Sequence, residues 1–562
     1  MSITQEVRAM RSDFSPNPSQ LFFRKIVVRF MTTCFLVFCP LSAIAVTQES
    51  HAWNDKKSET LSQFVDALAE QKDFNGAILL AEDGKVVFEK YAGFANINDK
   101  SDLGQRSSFR LASVSKQFTA MGIMILKEQG KLDFDDDITK HLPTLPYKGV
   151  TIRHLLHHNG GLADYTRWFS LNWDVKNAVK GRKMAFNKDL VEQFSKAKPK
   201  IQFAPGEKHK YSNTGYVLLG QIIETASDMP IRRFFQEQVF TPLGMTDTQA
   251  FSPGNDFNVA ERVFGFELLA DGISHEDNDW SFMNGMIGDG GIYASARDLV
   301  KWDQAWYGEK LVSQATIQEA YTSGKTSDGM KTNYGFGWVV IAGREGNTRI
   351  VTHDGGWVGF ATHIFRDLDN RRTTIVLTNN SDQGFGIVKN AIRKIAKGQQ
   401  VEIPRANIAY ELASVIESEG VESAVARFKE IKQSEADNFL ITKKLLTNLA
   451  DFYREKGKRK TADQIESLIS PGGDFKVTKE LLENLVGKYN LSDDFAIQIS
   501  RRGIRLYAQA TGQGELKLKP VSENLFEVVG VDAEISFSLK GSEAVSLTLH
   551  QGGANQVAKK SD

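Results

Sequence analysis

Strand patterns lie at both ends of one long stretch of this chain, and a helical, loop-rich region separates them. Residues 75–90 have the pattern of two strands around an Asp-Gly turn. Further strand-like runs cover residues 338–341, 348–353, 360–365 and 373–378. Strands that flank helices in this way predict one sheet closed by distant segments. We therefore expect an α/β (α+β) domain over residues 60–400.

Composition excludes one class of partner and supports large packed cores. The 562 residues carry 69 Lys+Arg and 69 Asp+Glu, so the formal net charge is zero. This balance gives no sign of a nucleic-acid surface, and we expect no nucleic-acid partner. Hydrophobic residues make up 41% of the chain, which is enough for packed domains, and the length suggests about three of them.

The N-terminus has the pattern of a secretory signal. Basic residues precede a short apolar run at 30–41, and small residues follow at 42–45. The pattern predicts a signal peptide over residues 1–45, membrane contact only in transit and a periplasmic mature protein. An uncleaved anchor is the alternative. Cys34 and Cys39 both lie in this segment, so a cleaved chain has neither a disulfide nor a cysteine nucleophile.

The chain changes character after Pro404. Residues 405–470 have helical periodicity, which predicts a helical spacer or, alternatively, a helical repeat that binds a partner. Ser, Pro and Gly at 470–473 indicate a linker. Short alternating runs then predict a small antiparallel β domain over 476–552. We expect a frayed tail after Gly553 and a loose leader over residues 46–60.

Ser113 and Lys116 are the first candidate catalytic pair. They lie three residues apart at the start of an apolar helical pattern, so they share one helix face. A lysine can act as the base for a serine nucleophile when burial lowers its pKa. The alternative for Ser113 is a helix cap. Ser195 and Lys198 have the same spacing, but they lie in a basic run that meets Pro199, and we interpret that segment as a solvated loop.

Tyr211 and Asn213 form a second candidate group just before another apolar helix. On an extended segment their side chains share a face. The phenol could act as acid and base if nearby cations lower its pKa, and Asn213 could position a carbonyl group or the lysine. The alternative is a packed tyrosine followed by an asparagine cap.

His353, Gly355 and Gly356 form the third group, at the end of a predicted strand. Glycines there would let a substrate backbone approach, and a free strand edge could supply part of an oxyanion hole. The alternative for His353 is a core histidine whose hydrogen bonds are satisfied. Lys325, Thr326 and Ser327 offer a competing motif, but they lie in a predicted loop.

Two other groups have weaker patterns. His154 and His158 stand at i and i+4 with His157 between them, a spacing that could chelate zinc. Glycines interrupt the segment at once and no Glu lies between the histidines, so we expect neither a metal nor a cofactor. Aromatic density suggests that the cleft is lined by Trp168, Phe169, Trp173 and Trp357.

The three groups together resemble the serine β-lactamase and penicillin-binding-protein superfamily. The chain order Ser-x-x-Lys, Tyr-x-Asn, His-x-Gly is most similar to the class C-type branch, which includes D-aminopeptidases, D-Ala-D-Ala carboxypeptidases and related esterases. Residues 155–162, 242–245 and 290–299 add to the resemblance, which covers about residues 60–395. It implies an antiparallel sheet flanked by helices, with an all-helical subdomain.

The resemblance also implies a role for each matching residue. Ser113 would be the acylated nucleophile, Lys116 would take its proton, and Tyr211 would share the base role and protonate the leaving group. Asn213 would contact the substrate and the lysine. The N–H groups of Ser113 and Gly356 would form the oxyanion hole, and water would release the acyl group.

One departure from the family pattern bears on the substrate. Many β-lactamases have Lys-Thr-Gly at the third motif, where this chain has His353. A neutral histidine holds a substrate carboxylate less firmly than lysine does. We therefore expect peptide or small-molecule substrates with amide or ester bonds, such as D-amino-acid or peptidoglycan-type peptides, in preference to β-lactams. The rival hypothesis is a catalytically silent sensor or scaffold. The oligomeric state stays open.

Overall fold

The computed structural model describes residues 53–175, 183–251, 259, 261–342, 349–380, 384–469, 477–492, 495–529, 531, 533–541, 543–551 and 554–561. The predicted signal peptide, both cysteines and the predicted linker at 470–473 lie outside these residues. The chain forms two compact units. The first comprises residues up to Glu267 and Asp277–Ile403, and the second comprises Leu268–Glu276 and the residues from Pro404 onward.

An antiparallel sheet of six strands organises the first unit. Its strands are β1 Gly76–Glu82, β2 Lys85–Ala92, β3 Val339–Ala342, β4 Arg349–Trp357, β5 Phe360–Asp367 and β6 Arg372–Thr378. Their order across the sheet is β3-β4-β5-β6-β1-β2. Strand β1 pairs with β6 from Gly76 opposite Thr378 to Glu82 opposite Arg372. The predicted α+β fold, with a sheet closed by distant segments, is confirmed.

Two helices cover one face of this sheet. Helix α1 (Asp55–Glu70) and the Phe385–Ala396 helix bury apolar side chains against strands β1 and β6. Helix α1 begins where the Asn54 side chain accepts the Lys57 N–H. Its buried residues recur at helical spacing: Leu61, Phe64, Val65 and Leu68. The expected loose leader is therefore wrong for residues 55–60, because a capped amphipathic helix already begins there.

The other face carries the larger core and the helical part of the domain. Its α-helices are Lys116–Glu128, Ile152–Leu156, Tyr165–Asn172, Asn187–Ala197, Asn213–Ser227, Ile231–Phe235, Thr241–Leu243, Ala296–Ala305 and Gln314–Ala320. Single turns of tighter or wider helix lie at Ala112–Ser115, Ile138–Lys140 and Gln236–Phe240. Short strands lie at Phe94–Asn96, Ser101–Asp102, Phe109–Arg110, Gln249–Ala250, Phe266–Leu268, His275–Asp277 and Ile292–Ala294. Phe118 stacks on Trp302 with ring centroids 4.0 Å apart, which anchors the Lys116–Glu128 helix in this core.

The second unit contains helices followed by a closed antiparallel barrel. The helices are Ile408–Glu419, Val421–Glu430, Ile431–Glu435, Ala436–Asn438, Lys443–Glu455, Arg459–Ile469 and Lys479–Leu485, and Ala406–Asn407 and Phe439–Leu440 form a short parallel pair. The barrel strands are Gly487–Ser492, Phe495–Arg502, Arg505–Ala510, Leu516–Pro520, Leu525–Val528, Ala533–Lys540, Glu543–Gln551 and Ala554–Lys560.

The last barrel strand overturns one expectation. Ala554–Lys560 pairs with the first barrel strand, where Tyr489 lies opposite Lys560, and so closes the barrel. The predicted frayed tail after Gly553 is therefore wrong. Ala558 is fully buried while its neighbour Val557 is 62% exposed, as expected for a strand with one solvent-exposed face.

No helix in the described part of the chain combines the length and the apolar character that a membrane span requires.

Candidate active site

Ser113 lies on a single helical turn, Ala112–Ser115, that joins the Phe109–Arg110 strand to the Lys116–Glu128 helix. We call this segment the serine turn. Its backbone is strained, because Ala112 has φ +47° in the left-handed region that side chains with a Cβ rarely adopt. The regular α-helix begins at Lys116, three residues later than the sequence pattern indicated.

Lys116 joins the residues of the first two motifs. Its Nζ donates hydrogen bonds to Ser113 Oγ at 3.0 Å, to Asn213 Oδ1 at 2.8 Å and to the Asp289 carbonyl oxygen at 2.8 Å. The side chain is fully buried. Burial lowers the pKa of Lys116 from 10.5 to about 8, and the charge of Asp289 opposes this shift. A neutral amine is therefore accessible near neutral pH, within reach of the serine proton.

Tyr211 places its ring beside the lysine, with Lys116 Nζ 4.9 Å from the ring centroid. The residue keeps 39% of its surface exposed, but burial of its phenol group raises the Tyr211 pKa above its ordinary value of 10. A hydrogen bond with Ser113 opposes that shift. The condition that the sequence analysis set for an acid and base role of Tyr211, a pKa lowered by nearby cations, is therefore not met. Tyr211 is a protonated phenol that can pass a proton on.

Asn213 is the first residue of the Asn213–Ser227 helix. The residue that caps this helix is Ser212, whose Oγ accepts the Gly215 N–H at 3.3 Å. Ser212 has extended backbone angles. The side chains of Tyr211 and Asn213, on either side of it, can therefore share a face, as the sequence analysis predicts. The Asn213 side chain is thus available to Lys116, and it does not act as the helix cap.

His353 lies inside the domain and does not line the pocket beside Ser113. Along β4, Val351, His353 and Gly355 occupy the buried positions, and His353 is 4% exposed. Its Nδ1–H donates to the Asp354 carbonyl oxygen at 2.6 Å, and its Nε2 accepts from the Tyr334 hydroxyl at 2.9 Å. Burial lowers the His353 pKa to about 4. The ring is therefore neutral with both nitrogens engaged, which matches the alternative of a satisfied core histidine.

Gly355 and Gly356 have different surroundings. A Cβ on Gly355 would lie 2.4 Å from the Leu111 carbonyl oxygen and 3.0 Å from the Ser113 nitrogen. Glycine is therefore required at this position because the serine turn packs closely against β4. The sequence analysis instead predicts that a substrate backbone approaches here. Gly356 faces open space and lines the pocket with Ser113 and Trp357.

The pocket beside the nucleophile includes residues that the sequence motifs did not single out. Its lining contains Arg110, Ala112, Ser113, Tyr165, Asn213, Met283, Met286, Asp289, Gly290, Gly356 and Trp357. The Tyr165 hydroxyl donates to Asp289 Oδ2 at 2.9 Å. Burial raises the pKa of Asp289, and the charge of Lys116 opposes that shift. A charged residue between two glycines, Gly288 and Gly290, is the sequence signal that could have identified Asp289.

Comparison with known proteins identifies the family. A family profile described as Beta-lactamase matches residues 61–397. The chain belongs to the beta-lactamase family. Penicillin-binding protein 4* of Bacillus subtilis (strain 168) is 32% identical over 516 residues, which cover 89% of this chain and 98% of that protein. A putative D-alanyl-D-alanine carboxypeptidase of Escherichia coli (strain K12) is 26% identical over 398 residues, covering 61% of this chain and 88% of that protein.

A solved structure extends the likeness of the fold beyond the beta-lactamase family domain. The octameric penicillin-binding protein homologue from Pyrococcus abyssi superposes with a TM-score of 0.52 at 21% identity, and the match covers 89% of this chain and 99% of that chain. The family profile and the Bacillus subtilis relative confirm the resemblance to the serine β-lactamase and penicillin-binding-protein superfamily, and the chain is a serine hydrolase related to these proteins.

The competing motifs lie apart from the pocket of this beta-lactamase family domain. Ser195 Oγ donates to the Val191 carbonyl oxygen, and the 70% exposed Lys196 side chain pairs with Glu192. Residues 195–197 form the last turn of the Asn187–Ala197 helix, and Lys198, the lysine of this motif, is its C-cap with a left-handed backbone. The predicted loop is therefore wrong for residues 195–197. Thr326 lies in a turn in which its hydroxyl donates to Asp328.

The three neighbouring histidines each use a ring nitrogen in a separate local contact. Nδ1 of His154 accepts the Thr151 N–H at 3.2 Å, and Nδ1 of His158 accepts the Ser212 N–H at 3.1 Å. His157 bonds the Tyr334 carbonyl oxygen. Within the described ranges, no group of three or more His, Cys, Asp or Glu side chains is arranged to hold a metal ion.

The aromatic residues expected in the cleft divide into two sets. Trp357 lines the pocket. Phe169 packs on Trp173 with ring centroids 5.1 Å apart, and Trp168 packs on Phe194. Trp168, Phe169 and Trp173 therefore pack within the helical core or at its edge, and they are not among the residues that line the pocket.

Proposed function

We propose that the protein is an exported serine hydrolase that cleaves amide or ester bonds through an acyl-enzyme, with D-amino-acid or peptidoglycan-type peptides as substrates. One observation carries the proposal: a fully buried Lys116, with its pKa lowered to about 8, lies 3.0 Å from Ser113 Oγ. The D-alanyl-D-alanine carboxypeptidase and penicillin-binding protein among the relatives support the substrate class. The signal pattern at residues 1–45 supports export and a periplasmic site of action.

The mechanism follows from the contacts of the lysine. Ser113 Oγ attacks the carbonyl carbon of the substrate, and neutral Lys116 takes the hydroxyl proton. The N–H groups of Ser113 and Gly356 stabilise the negative charge that develops on the substrate oxygen. Tyr211 gives its proton to the leaving group and recovers one from Lys116. Asn213 keeps the ammonium group in place, and water then hydrolyses the acyl-enzyme.

Covalent labelling of Ser113 tests this proposal. A fluorophosphonate probe should add one label to the wild-type protein by intact mass, and Ser113→Ala should remove it. Ser195→Ala is the matched control, because it changes the other Ser-x-x-Lys sequence and should label like wild type. Absence of wild-type labelling would instead favour the catalytically silent sensor or scaffold.

A substrate panel tests the preference against β-lactams. Because His353 is buried and neutral, we expect D-amino-acid peptides, amides and esters to have higher kcat/KM values than penicillins and cephalosporins. Hydrolysis of each class by the purified protein measures this preference. A higher kcat/KM for a β-lactam than for every peptide and ester would contradict it.

A further inference from the structure

His158 lies beside the second motif and has no role in the mechanism above. The residue is 1% exposed, and it is not among the residues that line the pocket beside Ser113. Its backbone has φ +59°, in the left-handed region that a residue with a Cβ adopts at a cost. Such a conformation persists where the surrounding contacts enforce it, so the contacts of His158 need an explanation.

Two hydrogen bonds tie His158 to the residues on either side of Tyr211. The His158 carbonyl oxygen accepts the Lys210 N–H at 3.0 Å. The ring nitrogen Nδ1 of His158 accepts the Ser212 N–H at 3.1 Å. One residue therefore holds a backbone N–H on each side of Tyr211, and the chain cannot shift there without breaking one of these two bonds.

Aromatic packing adds a third restraint on Tyr211. The ring centroids of His158 and Tyr211 lie 4.3 Å apart. The imidazole also packs against Tyr334 and Tyr216, with ring centroids 4.3 and 5.0 Å away. Tyr334 is itself held in place, because its hydroxyl donates to His353 Nε2 at 2.9 Å. His158 thus connects Tyr211 of the second motif, through Tyr334, to the histidine of the third motif.

The hydrogen bond from Ser212 requires a neutral imidazole. Nδ1 accepts a hydrogen bond only when it carries no proton, so the ring proton lies on Nε2. Burial, followed by the charge of Lys116, holds the His158 pKa well below its ordinary value of 6.5. Among the residues that the structure describes, Nε2 has no hydrogen-bond partner, which leaves Nδ1 as the ring atom that bonds the protein.

These restraints act on the group that the proposed mechanism uses as an acid. Tyr211 lies beside Lys116, with Nζ 4.9 Å from the ring centroid, and it bonds Ser113. The residue keeps 39% of its surface exposed, so its own burial does not fix its position. A catalytic acid has to reach the leaving group within hydrogen-bond distance. A displacement of about 1 Å in such a group costs about 100-fold in rate.

We propose that His158 is a positioning residue, which holds Tyr211 where it can pass a proton to the leaving group of the substrate. The inference rests on the proposed function and gives a role in it to a histidine that the sequence motifs suggested only as a metal ligand. His158 acts through the acceptor at Nδ1 and through its carbonyl oxygen and ring, and it does not itself touch the substrate.

Two substrates with the same acyl group and different leaving groups test this role. The leaving amine of N-acetyl-D-Ala-D-Ala needs a proton, whereas the p-nitrophenolate of N-acetyl-D-alanine p-nitrophenyl ester leaves without one. His158→Phe keeps a ring and removes the Nδ1 acceptor. We expect its kcat/KM to fall by about 10- to 100-fold for the peptide and by less than about threefold for the ester. A residue that served folding alone would lower both values by the same factor.

Two further variants assign the effect to the acceptor. His158→Asn should restore most of the peptide-to-ester ratio of kcat/KM, because its Oδ1 takes the place of Nδ1 and asparagine tolerates a left-handed backbone. His154→Phe is the matched control and should keep the wild-type ratio. Its Nδ1 also accepts a backbone N–H, that of Thr151, but in a helix cap that does not include Tyr211. If His158→Phe does not fold, His158→Ala decides, because it removes the acceptor without adding volume.

Fluorophosphonate labelling of the same samples separates this role from the proposed function. Equal losses on peptide and ester, or an unchanged ratio in His158→Phe, overturn the inference. A ratio in His158→Asn as low as in His158→Phe, or the same selective loss in His154→Phe, also overturns it. Wild-type labelling without cleavage of the peptide contradicts only the role of His158, because no leaving amine is then protonated. Absence of labelling contradicts the proposed function itself, and the role of His158 with it.

Discussion

Lys116 combines full burial with three acceptors, namely Ser113 Oγ, Asn213 Oδ1 and the Asp289 carbonyl oxygen. These acceptors stabilise the protonated form, whereas burial favours the neutral form. Burial dominates, and the pKa falls to about 8. Protonated and neutral lysine therefore both occur near neutral pH, as a general base requires.

The rate should follow the titration of this lysine. For an uncharged ester, kcat/KM should rise with pH and reach half of its maximum near pH 8, because only neutral Lys116 accepts the serine proton. Asp289→Asn should move the midpoint to lower pH, since it removes the charge that opposes the shift. Stopped-flow or steady-state pH profiles measure both effects. A midpoint near 10.5, or no change in Asp289→Asn, would contradict this assignment.

The same pKa shift has a consequence for stability. Below about pH 8, Lys116 is protonated in the folded and the unfolded chain, so the folded state carries the full desolvation cost. Above 10.5 the lysine is neutral in both states and this cost disappears. Lys116→Met should therefore raise the free energy of unfolding by about 1–3 kcal/mol at low pH, with a gain that fades as pH rises from 8 to 10.5.

Chemical denaturation of wild type and Lys116→Met at about pH 6 and about pH 10 measures this difference. Lys127→Met is a suitable control, because Lys127 lies on the same helix but is not one of its buried residues. A gain in Lys116→Met that is equal at both pH values, or larger at the higher one, would contradict the argument.

Single residues show what sequence reasoning could and could not find. Ser113, Lys116, Tyr211 and Asn213 were predictable because their spacing is local and their order along the chain is distinctive. Arg110 lies in the same sequence run as Ser113, but its surroundings could not be predicted. The aromatic rings around its guanidinium come from distant segments, and its Nε and Nη1 have no hydrogen-bond partner among the described residues. The direction of a pKa shift likewise depends on burial, which the sequence does not give.

At the scale of the element, strand β4 positions the nucleophile. Its buried positions alternate through Val351, His353 and Gly355, so the third of these faces the serine turn. The strand was predicted from its residues, and its alternation with Val351 could also have placed His353 inside. The last barrel strand was missed because it contains a polar run, and only pairing with the first strand reveals it.

Gly355→Ala should displace the serine turn. Its Cβ would lie 2.4 Å from the Leu111 carbonyl oxygen, so we expect a loss of about 1–3 kcal/mol in the free energy of unfolding and slower labelling of Ser113. Gly386→Ala is the matched control, because its Cβ meets nothing within 4 Å and alanine favours its helix. Labelling rate and thermal unfolding measure both variants. Equal behaviour of the two would show that β4 does not support the turn.

At the scale of the whole molecule, the two units have separate hydrophobic cores. The clusters of the first unit draw their buried residues from the segment between Leu61 and Ile395. The clusters of the second unit begin at Ile408. The strand and helix patterns predicted the order along the chain of an α+β domain, a helical segment and a small β domain. They did not predict that the β domain is a closed barrel, because closure depends on pairing between strands that are distant in sequence.

A chain that comprises residues 46–403 should therefore fold and label at Ser113. Its clusters keep all their buried members, so the loss of the residues from Pro404 onward, which leaves Leu268–Glu276 of the second unit in place, should leave the lysine and the nucleophile buried together. A soluble, cooperatively unfolding product with the labelling rate of the full chain is the expected result. Aggregation, or a folded product without labelling, would show that the second unit is needed to form the site.

The pairing of β1 with β6 has a consequence for the order in which the first unit can be completed during synthesis. Gly76–Glu82 emerges early from the ribosome, but its neighbour Arg372–Thr378 emerges only when the first unit is almost complete. Until then the sheet that carries β4 has a gap at its centre. In a chain that ends before β6, strands β1 and β2 have no partner that joins them to β5, so we expect the domain to stay open and the serine to gain its buried lysine only after β6 is added.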